Sequence, residues 1–138
     1  MGAVLNLLKS KGRDVLTVDP DTSVREAIEK MEDISAGTVV VMEGGGVVGM
    51  VSERDVIRKV VLQGQKIDKV KVREIMSTDL TTITPETLLD DCMQLITEKR
   101  IRHLPVLCNG SLCGIVSIGD VVKYLVVEKD FKIKNLET

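Results

Sequence analysis

The 138-residue chain has almost nothing with which to stack on a base: one Tyr, one Phe and no Trp. Its 19 basic and 21 acidic side chains leave a formal net charge of −2, so a basic surface is missing too. Nucleic acid is therefore not expected as a partner. No apolar run approaches the roughly 18 residues that cross a bilayer, and no membrane span is expected. The start, Met1-Gly2-Ala3-Val4-Leu5-Asn6, reaches the polar Lys9-Ser10-Lys11-Gly12-Arg13-Asp14 without an apolar stretch of signal-peptide length. Position 6 also lacks the Ser or Thr that a myristoylation signal prefers. Cysteine is confined to Cys92, Cys108 and Cys113. An odd count without a secretory signal points to free thiols in a reducing compartment, so the expected location is the cytoplasm.

Histidine is confined to His103, with no Cys or carboxylate at ligand spacing, so no metal site is expected. No Gly-x-Ser-x-Gly or comparable nucleophile signature exists, and no catalytic residue is expected. His103 reads either as a partly buried strand-edge residue or as a phosphate contact. What the chain does have is 43% apolar residues, enough to bury a core in one small globule or two very small ones.

Sliding the sequence on itself by 65 residues brings its halves into register without a gap. Thr17-Val18-Asp19-Pro20-Asp21-Thr22 falls on Thr82-Ile83-Thr84-Pro85-Glu86-Thr87. Gly49-Met50-Val51-Ser52-Glu53-Arg54-Asp55-Val56 falls on Gly114-Ile115-Val116-Ser117-Ile118-Gly119-Asp120-Val121. Over the 42 positions from 17 to 58, ten are identical, and most others keep their apolar or polar character. Two copies are too few for an array, and each is too small to bury much surface alone. Residues 1–65 form one repeat with a lead-in, residues 66–138 the other, and the two are expected to share an interface.

Local signals agree in both copies. Ser23-Val24-Arg25-Glu26 has the form of a capping box, and Val24, Ala27, Ile28 and Met31 follow at helical spacing. Thr87 and Asp90 are expected to play the same part before Leu89, Cys92, Met93 and Ile96. The β-rich runs Val39–Met42 and Val47–Val51 flank Gly44-Gly45-Gly46, which predicts a hairpin. Its counterpart runs from Leu104 to Cys108, turns at Asn109-Gly110 and returns through Ser111 to Val116. A last helix follows Ser52 in one copy and Ser117 in the other. Its apolar stripe is Val56, Ile57, Val60 and Val61, then Val121, Val122, Leu125 and Val126. With a short extended segment at Val15–Val18, each copy reads β-α-β-β-α, an α/β or α+β architecture. Val4-Leu5-Asn6-Leu7-Leu8 loosely matches Val72-Arg73-Glu74-Ile75-Met76 as a short lead-in helix.

The hairpin turns carry no chemistry of their own. Gly44-Gly45-Gly46 lacks the Lys and Ser/Thr of a phosphate loop, and Asn109-Gly110-Ser111 is a turn although it has the form of a glycosylation sequon. Cys108 and Cys113 become diagonal neighbours across a two-residue turn, generally too far apart for an unstrained disulfide. All three cysteines are expected to be small buried hydrophobes.

The string Gly-x-x-Ser-x-x-Asp occurs twice, at a strand end that becomes a helix start. Ser52 with Asp55, and Ser117 with Asp120, can each simply form a capping box. The same groups can bind a ligand. A hydroxyl beside free N–H groups at a helix start suits a phosphate, and a carboxylate one turn on can accept both hydroxyls of a ribose.

Thr-x-x-Pro, a helix, then a hairpin ending in Gly-x-x-Ser-x-x-Asp, repeated twice, resembles a tandem pair of CBS domains. Ile101-Arg102-His103-Leu104-Pro105-Val106 and Val51-Ser52-Glu53-Arg54-Asp55 are typical of that family, and the likeness covers nearly the whole chain. It implies two repeats packed about a pseudo-twofold axis, pairing into homodimers, and clefts for adenosine compounds. AMP is first among these; ADP, ATP, NAD(H) and S-adenosylmethionine are the others. Carried over by position, Asp55 and Asp120 hold ribose hydroxyls, while Ser52 and Ser117 sit at the phosphate. Thr17 with Val18, and Thr82 with Ile83, line the adenine pocket. Arg54, Arg102 and His103 reach phosphate, and their counterparts Gly119, Gly37 and Thr38 cannot. The clefts are thus unequal, and at most one is expected to bind tightly. The function implied is a regulatory sensor acting on a protein target in trans, with no catalytic cofactor. The alternative is a scaffold of the same fold that dimerises without a ligand.

Overall fold

The structure is a computed structural model that describes residues 2–137, with side-chain surroundings through residue 129. In chain order its elements are α1 (Val4–Lys11), β1 (Thr17–Val18), α2 (Val24–Asp33), β2 (Thr38–Glu43), β3 (Gly46–Ser52) and α3 (Glu53–Val56). A π-wound turn over Ile57–Val61 extends α3. Then come α4 (Val72–Ile75), α5 (Leu89–Lys99), β4 (His103–Cys108), β5 (Ser111–Ser117) and α6 (Ile118–Glu137). The first repeat therefore shows the expected β-α-β-β-α order, and the second shows α-β-β-α without a leading strand.

The chain divides into two compact units that cut across the linear order of the repeats. One comprises Val15–Thr81 with Asn109–Leu112; the other comprises Met1–Asp14, Thr82–Cys108 and Cys113–Thr138. The lead-in thus leaves its neighbour in sequence and joins the second repeat, while α4 packs with the first.

In the unit built on the first repeat, β1 pairs parallel with β2, Val18 opposite Val41, and β2 pairs antiparallel with β3. Gly44 and Gly45 turn that hairpin at φ +61° and +81°, a conformation side chains other than glycine resist. Register slips between Val41 and Met42, which face Gly49 and Val47, so Val48 is passed over as a bulge. Val24, Ala27 and Met31 of α2 pack on Val39, Val41 and Val51 of the sheet, with Val56, Val72 and Ile75 completing the core. The Ser23 hydroxyl accepts from the Glu26 amide as a helix cap should.

In the other unit, β4 and β5 form a two-stranded sheet, and the expected extended segment is reduced to one parallel bridge between Ile83 and Val106. Val4, Leu7 and Leu8 of α1 are buried against Leu89, Cys92, Leu104 and Val116. The expected cap by Thr87 does not form. The N-cap of α5 is Leu88, and the Leu89 amide donates to the Gly2 carbonyl at 3.0 Å. Thr87 instead accepts the Thr84 amide through its hydroxyl. The 65-residue offset puts Leu88 where the first repeat has Ser23, so the N-cap of α5 has no hydroxyl to offer the Asp91 amide. The equivalent of the Leu89–Gly2 bond in the first unit joins the Val24 amide to the Val70 carbonyl at 2.9 Å.

Two further expectations are corrected. Cys108 and Cys113 form a disulfide, with Cα atoms 5.7 Å apart. That separation lies within the reach of a disulfide and below the roughly 7–8 Å of idealised diagonal neighbours. Only Cys92 is a buried free cysteine, and burial followed by the Asp91 charge pushes its thiol up to about 11. The last-helix stripe is also only half used. Val56, Val60 and Val121 are buried, whereas Ile57, Val61, Val122 and Val126 are exposed.

Candidate ligand site

At the start of α6 the Gly-x-x-Ser-x-x-Asp string folds as a reciprocal cap. The Ser117 amide donates to Asp120 Oδ2 at 2.9 Å, and the Asp120 amide donates to Ser117 Oγ at 3.0 Å. The Ile118 amide donates to the Arg102 carbonyl at 2.9 Å, which fixes the helix start beside β4. The first repeat repeats this arrangement with Ser52, Asp55 and a Glu53-to-Gly37 bond of 3.0 Å. Both aspartates therefore cap their own helices, as the local reading expected.

What surrounds the two caps differs. Lys11, at the end of α1, donates to Asp120 Oδ2 at 2.5 Å and to the Ile115 carbonyl at 2.8 Å. Both bonds to the Asp120 carboxylate fall on Oδ2, and Oδ1 accepts none among the described residues. Burial raises the Asp120 carboxyl, but Lys11 and the Ser117 amide outweigh it and hold the group below the ordinary range. His103, on β4, is shifted down, chiefly by burial, with Lys11 and Arg102 adding to the effect and Asp120 opposing it. At Asp55 the neighbouring cation is instead Lys59, 3.6 Å from Oδ1, and its Nζ donates to the Ile75 carbonyl.

A cavity of about 380 Å³ opens beside Asp120 between α1 and α6. Leu7, Val127 and the Tyr124 ring give it apolar walls; Lys11, Lys123 and Asp120 bring charge, and Glu128 lies further along α6. One acceptor pair, two ammonium groups and an apolar wall can together take a sugar, an anion and a flat ring.

Arg102, His103, Ser117 and Asp120 thus meet in one unit, and Ser52, Arg54 and Asp55 in the other. Arg54 and Arg102 are exposed and form no ion pair among the described residues. Thr17 and Thr82 are exposed, but Val18 and Ile83 are only 5% and 4% accessible and belong to the cores. The Ile83 amide and carbonyl are both bonded, to Pro105 and Leu107, so this residue presents little to a base. Lys11, Lys123 and Tyr124 escaped sequence reasoning. Lys123 and Tyr124 follow Asp120 by three and four residues, a spacing that places them near it on one helix face. Lys11 gave no such local signal.

The family model for the CBS domain matches residues 11–62 and 72–127, together most of the chain. The chain belongs to the CBS-domain family. Among relatives of this CBS pair, the mitochondrial CBS domain-containing protein CBSX3 of Arabidopsis thaliana is 37% identical, over 96% of this chain and 69% of its own. The crystal structure of a CBS-domain-containing protein from Agrobacterium tumefaciens is 40% identical with a TM-score of 0.85, covering 89% of this chain and 98% of that one. The CBS domain pair of protein MJ0100, solved with 5′-methylthioadenosine and S-adenosyl-L-methionine, shares the fold at TM-score 0.81 and 20% identity, covering 93% of this chain and 98% of that one. No helix among the described residues is long and apolar enough to cross a membrane.

Proposed function

We propose that this CBS pair is a regulatory module that binds an adenosine nucleotide at Asp120 and signals occupancy to a protein target in trans. The observation that carries the reading is the cavity beside Asp120, whose Oδ1 is not used by the helix cap. A ribose diol needs two acceptor sites on a carboxylate, and capping consumes only part of one oxygen. The adenosine ligands of the MJ0100 pair support the ligand class. Candidates are AMP, ADP, ATP, NAD(H) and S-adenosylmethionine, with AMP first. In this reading Ser117, Arg102 and His103 face the phosphate, the exposed Thr82 borders the base with the buried Ile83 behind it, and no residue performs catalysis.

Ser52, Asp55, Arg54, Thr17 and Val18 form the second, weaker candidate cleft. Dimerisation belongs to the same proposal. Ile57, Val61 and Leu62 are exposed on the first repeat, and Val122, Val126 and Val127 stand exposed at the matching positions of the second. A homodimer that buries such stripes relieves their contact with water. The cytoplasm remains the proposed compartment, and the thiol state of Cys108 and Cys113 in fresh cell extract tests it.

Calorimetric titration of the five ligands decides the matter. Saturable binding of at least one is expected; heat traces flat up to millimolar concentrations reject the sensor. The ligand-free scaffold is the second reading, favoured by the caps that both aspartates form. It requires a melting temperature unmoved by every nucleotide, since any ligand of the native state raises it.

A further inference from the structure

We propose that Lys11 is a displaceable latch on the ligand site, closing Asp120 when the site is empty and holding phosphate when it is full. This rests on the nucleotide-binding reading above and names the ligand class more narrowly: nucleoside phosphates, selected over uncharged nucleosides. The Lys11 ammonium sits 2.5 Å from Asp120 Oδ2, the same carboxylate that would receive the ribose. A ribose diol that spans both oxygens finds Oδ1 open, but Oδ2 already accepts the Ser117 amide and the Lys11 ammonium, so the second hydroxyl competes with the ammonium there. Once displaced, a lysine does not leave the cavity, because Leu7 and Leu8 on the preceding turn anchor α1 in the core at 1% exposure each. Its flexible stem lets the charge move while its base stays fixed. The nearest use for a freed cation is the ligand's own anion, and Lys123 lines the same cavity as a second cation. An uncharged nucleoside must break the Lys11–Asp120 pair and offers the cation nothing in return. A nucleoside phosphate breaks it and supplies a replacement.

The lead-in latch is confined to one site. Matching Val4-Leu5-Asn6-Leu7-Leu8 to Val72-Arg73-Glu74-Ile75-Met76 puts Asp79 at the position of Lys11. The cation beside Asp55 is instead Lys59, 3.6 Å from Oδ1 and four residues along the same helix, with its Nζ bonded to the Ile75 carbonyl.

The test is calorimetric titration of AMP and adenosine into the full chain, its Lys11→Met and Lys11→Arg variants, and Asp120→Asn. The wild type is expected to prefer AMP by about tenfold or more, the value of one charge-assisted bond. In Lys11→Met, adenosine should bind more tightly and AMP more weakly, collapsing the preference, while Lys11→Arg keeps it. Asp120→Asn should lose both ligands. An AMP-to-adenosine ratio unchanged in folded Lys11→Met overturns the latch and leaves the nucleotide site standing. Failure of both ligands, and of ADP, ATP, NADH and S-adenosylmethionine, to bind wild type or Lys11→Met overturns the site and the latch together.

Discussion

Leu8 lies directly over Gly114: a Cβ built on that glycine would come 2.9 Å from Leu8 Cδ2. The lead-in helix can seat itself on β5 only because the strand has no side chain there. The first repeat has the same relationship in a tighter form, where a Cβ on Gly49 would meet Met76 Sδ at 2.6 Å and Met76 Cβ at 3.0 Å. Alanine at either position forces the covering side chain to give way, at about 1–3 kcal/mol. Gly49→Ala is expected to cost more than Gly114→Ala, since Cβ of Met76 cannot swing aside as a methyl tip can. Denaturant titration of both variants checks the order; equal stabilities for both and wild type would contradict it.

The aspartates separate capping from binding. Asp55→Ala and Asp120→Ala each remove an acceptor for a helix-start amide, at about 0.5–2 kcal/mol. Only Asp120→Ala should also abolish nucleotide binding, because the Lys11- and Tyr124-lined cavity adjoins Asp120. Paired melting and titration experiments read the two effects separately. Retained affinity in Asp120→Ala would sink the assignment.

His103 makes stability depend on pH near neutrality. Burial, then Lys11 and Arg102, lower its pKa in the folded chain below the usual 6.5 despite Asp120. The folded chain therefore binds fewer protons than the unfolded one in the window below 6.5. Its stabilising contribution is complete above that value and is lost as pH falls through the window. The melting temperature should decline as pH falls below about 6.5, and His103→Asn should flatten that decline. An identical slope in the variant would assign the effect elsewhere.

The disulfide predicts one accessible thiol. Alkylation of the denatured, unreduced chain should label Cys92 alone, and prior reduction should expose all three cysteines. Closing so short a loop is worth about 2 kcal/mol in the chain-entropy picture, so Cys108→Ser should lower stability by no more than that. Labelling of three thiols without reductant would show the bridge open in solution.

Much of this molecule was legible from local pattern. Ser23 before Glu26, and Ser52 before Asp55, marked helix starts because the bond from an N-cap hydroxyl spans only three residues. Gly44-Gly45 and Asn109-Gly110 marked hairpins because their positive φ angles are set by residue type. Thr87 misled because the N-cap of α5 falls one residue later, at Leu88, and the Thr87 hydroxyl is turned back to the Thr84 amide. Cys108 and Cys113 misled because idealised diagonal spacing overstated their separation, which is 5.7 Å between Cα atoms.

The 65-residue duplication is in the sequence itself, and so are the hairpins and the paired Ser-x-x-Asp caps, since these depend on contacts between residues close along the chain. Tertiary structure alone decided that the lead-in seats on the second repeat and brings Lys11 to Asp120. The apolar stripe Val4, Leu7 and Leu8 requires burial but does not say against which of two similar cores. That choice is made only when the whole chain closes up, by Gly114 leaving room for Leu8 and by backbone bonds such as Val4 to Thr87.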